Sequence, residues 1–172
     1  MTLKLLIFEP TGAIVAAPTT SLPEKIGAEY NWDYRYTWIR DASFSLYALL
    51  GLGYLKEAEE FIRWIERVCL KEDVFINIMY GIHGEKELEE KELPHLSGYK
   101  NSKPVRIGNN AWKQKQLDIF GELLNTIDLY TRAGGELSDN MKQFVKKLTD
   151  YCCVKWKEKD ASIWEVRSEE KH

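Results

Sequence analysis

Two neighbouring segments with different hydrophobic patterns constrain the fold of this chain more than any other feature. Residues 38–52 are apolar on nearly every side, which predicts a helix that is buried on most sides. Residues 55–71 repeat apolar side chains at positions i, i+3, i+4 and i+7 with charges between them, which predicts a helix that is buried on one side only. A buried helix followed by a one-sided helix is typical of a layered all-α fold.

The alternation continues along the chain. Residues 110–132 and 139–157 each have one apolar face and predict two further long helices. A short helix is expected at residues 11–17, where Pro18 would end it. Residues 72–109 lack long periodicity and predict ordered loops with a short hairpin, and loops of that length are uncommon unless they are functional.

The most distinctive stretch is residues 31–41, NWDYRYTWIRD, which runs directly into the first long helix. It holds four aromatic residues, two arginines and two aspartates. A carboxylate accepts hydrogen bonds from hydroxyls, a guanidinium donates two at once, and a Trp ring stacks on the apolar face of a sugar. The combination suits a carbohydrate ligand, although a helix start with one surface ion pair and core aromatics also explains it.

Three polar groups fall at corresponding ends of the predicted helices. Arg40 and Asp41 begin the first inner helix, residues 106–109 precede the second, and Trp164 with Glu165 would lie just before a third. Parallel inner helices would bring all three groups to one end of the fold. The helix pattern therefore predicts one shared pocket.

The order of the motifs resembles glycoside hydrolase family 15, which contains glucoamylases, glucodextranases and prokaryotic trehalases. The resemblance covers nearly the whole chain from Thr11 to His172, with departures at Ser162, where Gly is common, and at Trp112, where a small residue is usual. The motifs that carry it are GAIVAAPTTSLPE at 12–24, the 31–41 stretch, YGI at 80–82, HLSGY at 95–99, PVRIGN at 104–109, QLDIFGE at 116–122 and IWEVR at 163–167.

The resemblance implies an (α/α)6 barrel, a toroid of twelve helices that are alternately inner and outer. A complete barrel is longer than these 172 residues. We therefore expect an incomplete barrel with about five of the twelve helices. Residues 1–10 are interpreted as a short lead or linker remnant, and residues 11–172 as the N-terminal portion of the catalytic domain.

The resemblance also assigns roles to residues. Glu165 matches the catalytic acid that protonates the departing glycosidic oxygen; apolar neighbours such as Trp164 favour the neutral form of such a group. Without the resemblance, Glu165 would be explained as a surface residue of an acidic tail. Arg40 and Asp41 match the pair that holds the terminal glucose through its C4 and C6 hydroxyls. The substrate-binding candidates are Arg40, Asp41, Trp38, Trp32, Arg106, Asn109 and Trp164, with a helix-capping ion pair or core packing as the simpler alternatives.

The predicted function is glucoamylase-like inverting hydrolysis of a terminal α-glucosidic bond in an α-glucan, an oligosaccharide or trehalose, without metal or cofactor. Inversion needs an acid and a base about 6.5–9.5 Å apart. The base of this family lies late in the barrel, and no residue before His172 matches it. The isolated chain is therefore expected to be inactive alone. The alternatives are a non-catalytic glucan-binding or structural remnant, half of a split enzyme that needs a complementary C-terminal fragment, and a nonfunctional truncated product whose exposed apolar inner face drives self-association.

Composition excludes several other classes. The net charge is −3 and Lys and Arg alternate with Glu and Asp, so no nucleic-acid partner is expected. No apolar run approaches the roughly 18 residues that span a membrane, and the first eight residues are too short for a signal peptide. Cys69, Cys152 and Cys153 are an odd number without metal-ligand spacing and indicate reduced thiols in a cytoplasmic protein.

Overall fold

The computed structural model describes residues 2–70, 76–165 and 167. This part of the chain contains four α-helices: α1 (Ile39–Gly51), α2 (Leu55–Cys69), α3 (Asp118–Arg132) and α4 (Asp139–Lys155). Short 3-10 helices span Thr2–Leu6, Tyr99–Asn101 and Asn110–Lys113. The two-residue strands are β1 (Ile7–Phe8), β2 (Ala13–Ile14), β3 (Thr37–Trp38), β4 (Met79–Tyr80), β5 (Lys91–Glu92) and β6 (Arg106–Ile107).

The helices form the core of the molecule. α1 packs most extensively against α3, while α2 lies against both and α4 lies against α3. The strands form three antiparallel pairs, β1 with β2, β3 with β4 and β5 with β6. These ladders are short and join loops to the helical core. The predicted helical class is therefore correct. The hairpin predicted in residues 72–109 corresponds to the antiparallel pair of β5 and β6.

The apolar face of α2 contributes the largest core side chains. The Trp64 ring stacks on Phe61 with centroids 5.6 Å apart and meets Tyr80 edge-on at 5.9 Å. All three rings are at most 1 % exposed. The indole Nε1–H of Trp64 donates to the Ile82 carbonyl at 3.3 Å, so its polar atom is satisfied inside the core. The prediction of a one-sided helix is confirmed here.

The helix predicted at residues 11–17 is wrong. Ala13–Ile14 instead pair with Ile7–Phe8 as an antiparallel ladder. Gly12 turns the chain between the two strands at φ +81°, and a Cβ atom there would lie 2.5 Å from the carbonyl oxygen of Glu60. A close approach to α2 therefore decides the local conformation, because only glycine fits.

The long helix predicted at residues 110–132 begins later than expected. Asn110–Lys113 form a 3-10 turn that is capped by Asn109, whose side chain accepts a hydrogen bond from the Ala111 amide. Gln114 then adopts extended backbone angles, and α3 starts only at Asp118. The apolar side chains keep a helical spacing from residue 110 to residue 132, but the backbone is not continuously helical between Lys113 and Asp118. The last helix, α4, agrees with its predicted range within two residues.

The helix α1 is buried on most sides and exposed along one stripe. Phe44 is 57 % exposed and Tyr47 is 62 % exposed, whereas Leu46 and Leu49 on other sides are buried. The expected burial on most sides is found, because α1 buries Ile39, Ala42, Ser43, Ser45, Leu46 and Leu49, and the exposed apolar side chains form a single stripe of the helix. In the part of the chain that the structure describes, no helix combines the length and the apolar character that crossing a bilayer requires.

Because Phe61 is fully buried and stacks on Trp64, Phe61→Ala should lower the free energy of unfolding by about 3–5 kcal/mol. Phe44→Ala on the exposed face of α1 is the matched control and should change it by less than about 1 kcal/mol. Urea unfolding followed by tryptophan fluorescence measures both values. Equal losses in the two variants would contradict the described core.

Candidate active site

A cavity of about 480 Å³ opens where α1 begins. Its walls come from the loop before α1, from the first residues of α1, from the segment after β6 and from the turn that follows α4. Aromatic rings and carboxylates alternate around it. The lining residues are Glu24, Tyr30, Trp32, Tyr34, Trp38, Arg40, Asp41, Asn109, Ile163, Trp164, Glu165 and Arg167.

Glu165 is held by two donors from the start of α1. The ladder between β3 and β4 places Trp38 directly before the helix, where its ring is only 2 % exposed. The Trp38 indole Nε1–H donates to Glu165 Oε1 at 2.7 Å, and Arg40 Nη2 donates to the same oxygen at 3.2 Å. The other carboxylate oxygen, Oε2, accepts no hydrogen bond in the described part of the chain. One oxygen is thus fixed and the other is available.

Arg40 connects this carboxylate to α3. Its Nη1 donates to Gln116 Oε1 at 2.8 Å and to Asp118 Oδ2 at 2.9 Å. Burial opposes the charge of Arg40, but the hydrogen bond and ion pair with Asp118 outweigh it and hold the Arg40 pKa above its ordinary value. Arg40 is therefore a permanent cation whose donors are already partly used by the protein.

Asp41 is the second carboxylate of the cavity. In the described part of the chain it makes no ion pair and no side-chain hydrogen bond to another residue. Burial raises the pKa of Asp41, the nearby charge of Arg40 lowers it, and the negative charge of Glu165 raises it again, so the net direction is upward. An unpaired carboxylate in a cavity wall is available to accept hydrogen bonds from a ligand.

Tyr34 lines the cavity although the sequence analysis did not single it out. Its ring is tilted against Trp38 with centroids 5.7 Å apart. Burial raises the Tyr34 pKa, and the negative charges of Glu24, Glu165 and Asp41 raise it further. The hydroxyl therefore stays protonated. Its position four residues before Trp38, in the same aromatic stretch, was the signal available in the sequence.

Trp32 and Arg106 lie together at the back of one wall. The Arg106 guanidinium carbon is 4.5 Å from the centre of the Trp32 ring, and that of Arg167 is 3.7 Å from it. Arg106 is 8 % exposed, does not line the cavity, and donates to the Glu29 carbonyl at 2.8 Å. The Trp32 ring therefore contributes to the wall chiefly by holding these two guanidinium groups through cation–π contacts.

Asn109 and Trp164 complete the set of predicted residues. Asn109 accepts from Arg167 Nη2 at 3.0 Å and from the Ala111 amide at 3.0 Å. Trp164 is 80 % exposed at the rim, so it does not surround Glu165 with apolar atoms. The indole in contact with Glu165 is that of Trp38. The structure thus brings every predicted site residue except Arg106 into the cavity wall, and it adds Glu24, Tyr30, Tyr34, Ile163 and Arg167.

The turn around Glu165 has an unusual backbone. Ser162 has φ +55° and Glu165 has φ +51°, both in the left-handed region. Neither residue is glycine, which adopts this region without a steric penalty. The Ser162 hydroxyl accepts from the Trp164 amide at 3.3 Å, which offsets part of the cost.

The helical fold is shared with known glycosidases. Two solved glycosidase structures match the fold with TM-scores of 0.66 and 0.65, both at 18 % identity; the first match covers 99 % of this chain and 43 % of the other. Residues 1–172 match the sequence model of Glycosyl hydrolases family 15, and the chain belongs to this family.

Curated relatives agree with this assignment. A trehalase of Mycolicibacterium smegmatis is 47 % identical over 175 residues, which cover all of this chain and 26 % of the relative. A trehalase of Thermoplasma acidophilum is 44 % identical over 171 residues, covering 99 % of this chain and 29 % of the relative. The chain therefore spans less than a third of the length of these relatives.

The raised pKa of Asp41 makes stability depend on pH. Because its pKa is higher in the folded than in the unfolded chain, ionisation favours unfolding, and stability falls as the pH rises from near the ordinary value of 3.8 through the raised value. Asp41→Asn should therefore raise the Tm at pH 7 by about 2 °C, a shift that corresponds to less than about 1 kcal/mol in a domain of this size.

The comparison is made by thermal unfolding at pH 7 and pH 3. The gain should disappear at pH 3, where Asp41 is protonated in both states. Asp128→Asn, in an exposed ion pair with Arg132, is the control and should show no such gain. A lower Tm for Asp41→Asn at pH 7 would show that the Asp41 charge stabilises the fold.

Proposed function

We propose that this chain carries the glucose pocket and the catalytic acid of an inverting glycoside hydrolase that cleaves the α-glucosidic bond of trehalose. The choice of trehalose is supported by the relatives in Mycolicibacterium smegmatis and Thermoplasma acidophilum, both of which are trehalases. Maltose-type and isomaltose-type glucans are the other members of the substrate class. The observation that carries the proposal is the Glu165 carboxylate, fixed through one oxygen in a cavity that also holds the unpaired Asp41.

The cavity suits a terminal glucosyl unit. Its volume of about 480 Å³ lies in the range of small-molecule sites. The Asp41 carboxylate accepts hydrogen bonds from glucose hydroxyls, and the Tyr34 hydroxyl both donates and accepts. The Arg40 cation lies beside Asp41 and keeps its carboxylate attractive to hydroxyl donors. A site that grips the chain end in this way favours terminal over internal bonds.

Glu165 acts as the general acid. Trp38 and Arg40 both donate to Oε1, so a proton to be transferred would be carried by Oε2, which accepts no hydrogen bond from the described residues. From there it is transferred to the departing glycosidic oxygen while the bond to the anomeric carbon breaks. Because the Oε1 contacts keep the carboxyl group in one orientation, the proton is delivered along one direction.

The base that activates water is supplied by a further part of the enzyme. Residues 11–172 then form the N-terminal portion of an (α/α)6 catalytic domain, with about five of its twelve helical positions expected from the sequence and four α-helices found in the described residues. The exposed Phe44 and Tyr47 on α1 support this proposal, because an inner helix of a toroid packs against helices on both sides. The same face would mediate self-association of the isolated chain.

Binding of deoxynojirimycin, a glucose-shaped amine, tests the pocket. Isothermal titration calorimetry should show binding to the purified chain, and Asp41→Ala should weaken it at least about 10-fold, which corresponds to the loss of about 1.4 kcal/mol from charged hydrogen bonds. Asp128→Ala on the surface of α3 should bind like the unchanged protein. Equal affinity of the Asp41 and Asp128 variants would show that Asp41 does not bind the ligand.

Glucose release from trehalose, maltose and isomaltose tests the division of labour between acid and base. The isolated chain and its Glu165→Gln variant should both release no glucose, because the base is absent. Release that disappears in Glu165→Gln would contradict the need for a further part while supporting Glu165 as the acid. Equal release by both proteins would indicate a contaminating enzyme, and binding without release would also fit a glucan-binding protein.

A further inference from the structure

One network beside the cavity has no place in the mechanism above. The Glu90 carboxylate binds two guanidinium groups: its Oε1 lies 3.3 Å from Arg106 Nε, and its Oε2 lies 3.2 Å from Arg167 Nη1. Both guanidinium groups lie over the Trp32 ring. The side chains of Glu90 and Arg106 are only 13 % and 10 % exposed, whereas that of Arg167 is 37 % exposed, so the Glu90–Arg106 pair is shielded from solvent and the Arg167 contact lies nearer the surface.

Arg167 attaches the chain beyond Glu165 to the opposite wall. Its Nη2 donates to Asn109 at 3.0 Å while Nη1 binds Glu90. A forked guanidinium can hold two acceptors and a ring at once, which a lysine ammonium does less well. Arg167 is two residues after Glu165 in the sequence, so its contacts restrict where the Glu165 carboxyl group can lie.

The other side of the turn has its own attachments. The Ala161 amide donates to the Lys115 carbonyl at 3.0 Å, and Asp160 accepts from the Leu117 amide at 2.5 Å. Glu165 and Ser162 hold left-handed φ angles, which cost non-glycine residues free energy unless their surroundings enforce them. Attachments on both sides of Glu165 supply that constraint.

Glu90 makes the arrangement electrostatically possible. Without it, two like charges would lie over one ring, with Glu92, 3.5 Å from Arg106 Nη2, left as the counter-ion of Arg106. The Asn110 amide also donates to Glu90 Oε2 at 3.2 Å, so the carboxylate is oriented by the start of the 3-10 turn. Removing the charge of Glu90 should therefore loosen Arg167 before it affects the helices.

We propose that Arg167 and Glu90 are a positioning pair, which holds the turn of Glu165 so that Oε1 meets the Trp38 indole. This inference rests on the proposed function in taking Glu165 as the acid. Neither residue needs to touch the substrate, since they act through the orientation of Glu165. The positioning itself exists in the ligand-free protein and can be measured there.

The Trp38 indole proton reports the position of Glu165 directly. In ¹H–¹⁵N spectra of labelled protein its signal is assigned by its absence in Trp38→Phe, and Glu165→Ala defines the upfield shift on loss of the hydrogen bond. Arg167→Met and Glu90→Gln should each shift the signal in that same direction. Arg167→Lys should return it partway, because the charge is kept and the second contact is lost.

Arg132→Met, on the exposed end of α3, is the control and should leave the Trp38 signal unchanged. An unchanged signal in folded Arg167→Met or Glu90→Gln protein would overturn the proposal. If Arg167→Met does not fold, the Glu90→Gln and Arg167→Lys spectra decide the question. Failure of the proposed function would appear separately, as a lack of deoxynojirimycin binding to the unchanged protein.

Discussion

The contacts of one guanidinium group hold the candidate site together. Arg40 begins in α1, reaches Asp118 at the first turn of α3, and donates to Glu165 on the turn after α4. With its side chain 13 % exposed, Arg40 would be costly to bury without these acceptors. The ion pair therefore fixes the distances between the starts of α1 and α3 and the Glu165 carboxylate, and the cavity lies where these groups converge.

The sequence predicted the helices best where one face is apolar and the other charged. α2 and α4 agree with their predicted ranges closely, because their hydrophobic period also describes their burial. Residues 11–17 failed because the contact of Gly12 with Glu60 lies outside any local window. The start of α3 failed for a related reason, since the cap of Asn109 and the extended Gln114 interrupt a period that the side chains continue.

The sequence predicted the location of the site better than it predicted the contacts between its residues. The alternation of helices brought Arg40, Asp41 and Glu165 to one end, and the structure puts all three in the same cavity wall. The partners of each group come from residues far apart in sequence: Trp38 and Glu165 are separated by 127 positions, and Arg167 and Glu90 by 77. No local pattern encodes which donor meets which acceptor, so Tyr34 and Arg167 emerged only from the structure.

The two cavity carboxylates differ in a way that supports the different roles proposed for them. Glu165 is oriented by two donors on one oxygen, while Asp41 makes no side-chain hydrogen bond to another of the described residues, and burial raises its pKa. A group that must deliver a proton along one direction benefits from fixed geometry, whereas a group that binds hydroxyls benefits from open lone pairs. Leaving Asp41 unpaired costs folding free energy, and a ligand that supplies the missing donors recovers it. The folding free energy that is lost at Asp41 in the ligand-free protein can therefore add to the affinity for such a ligand. A carboxylate with all its hydrogen bonds already made by the protein would not provide this gain.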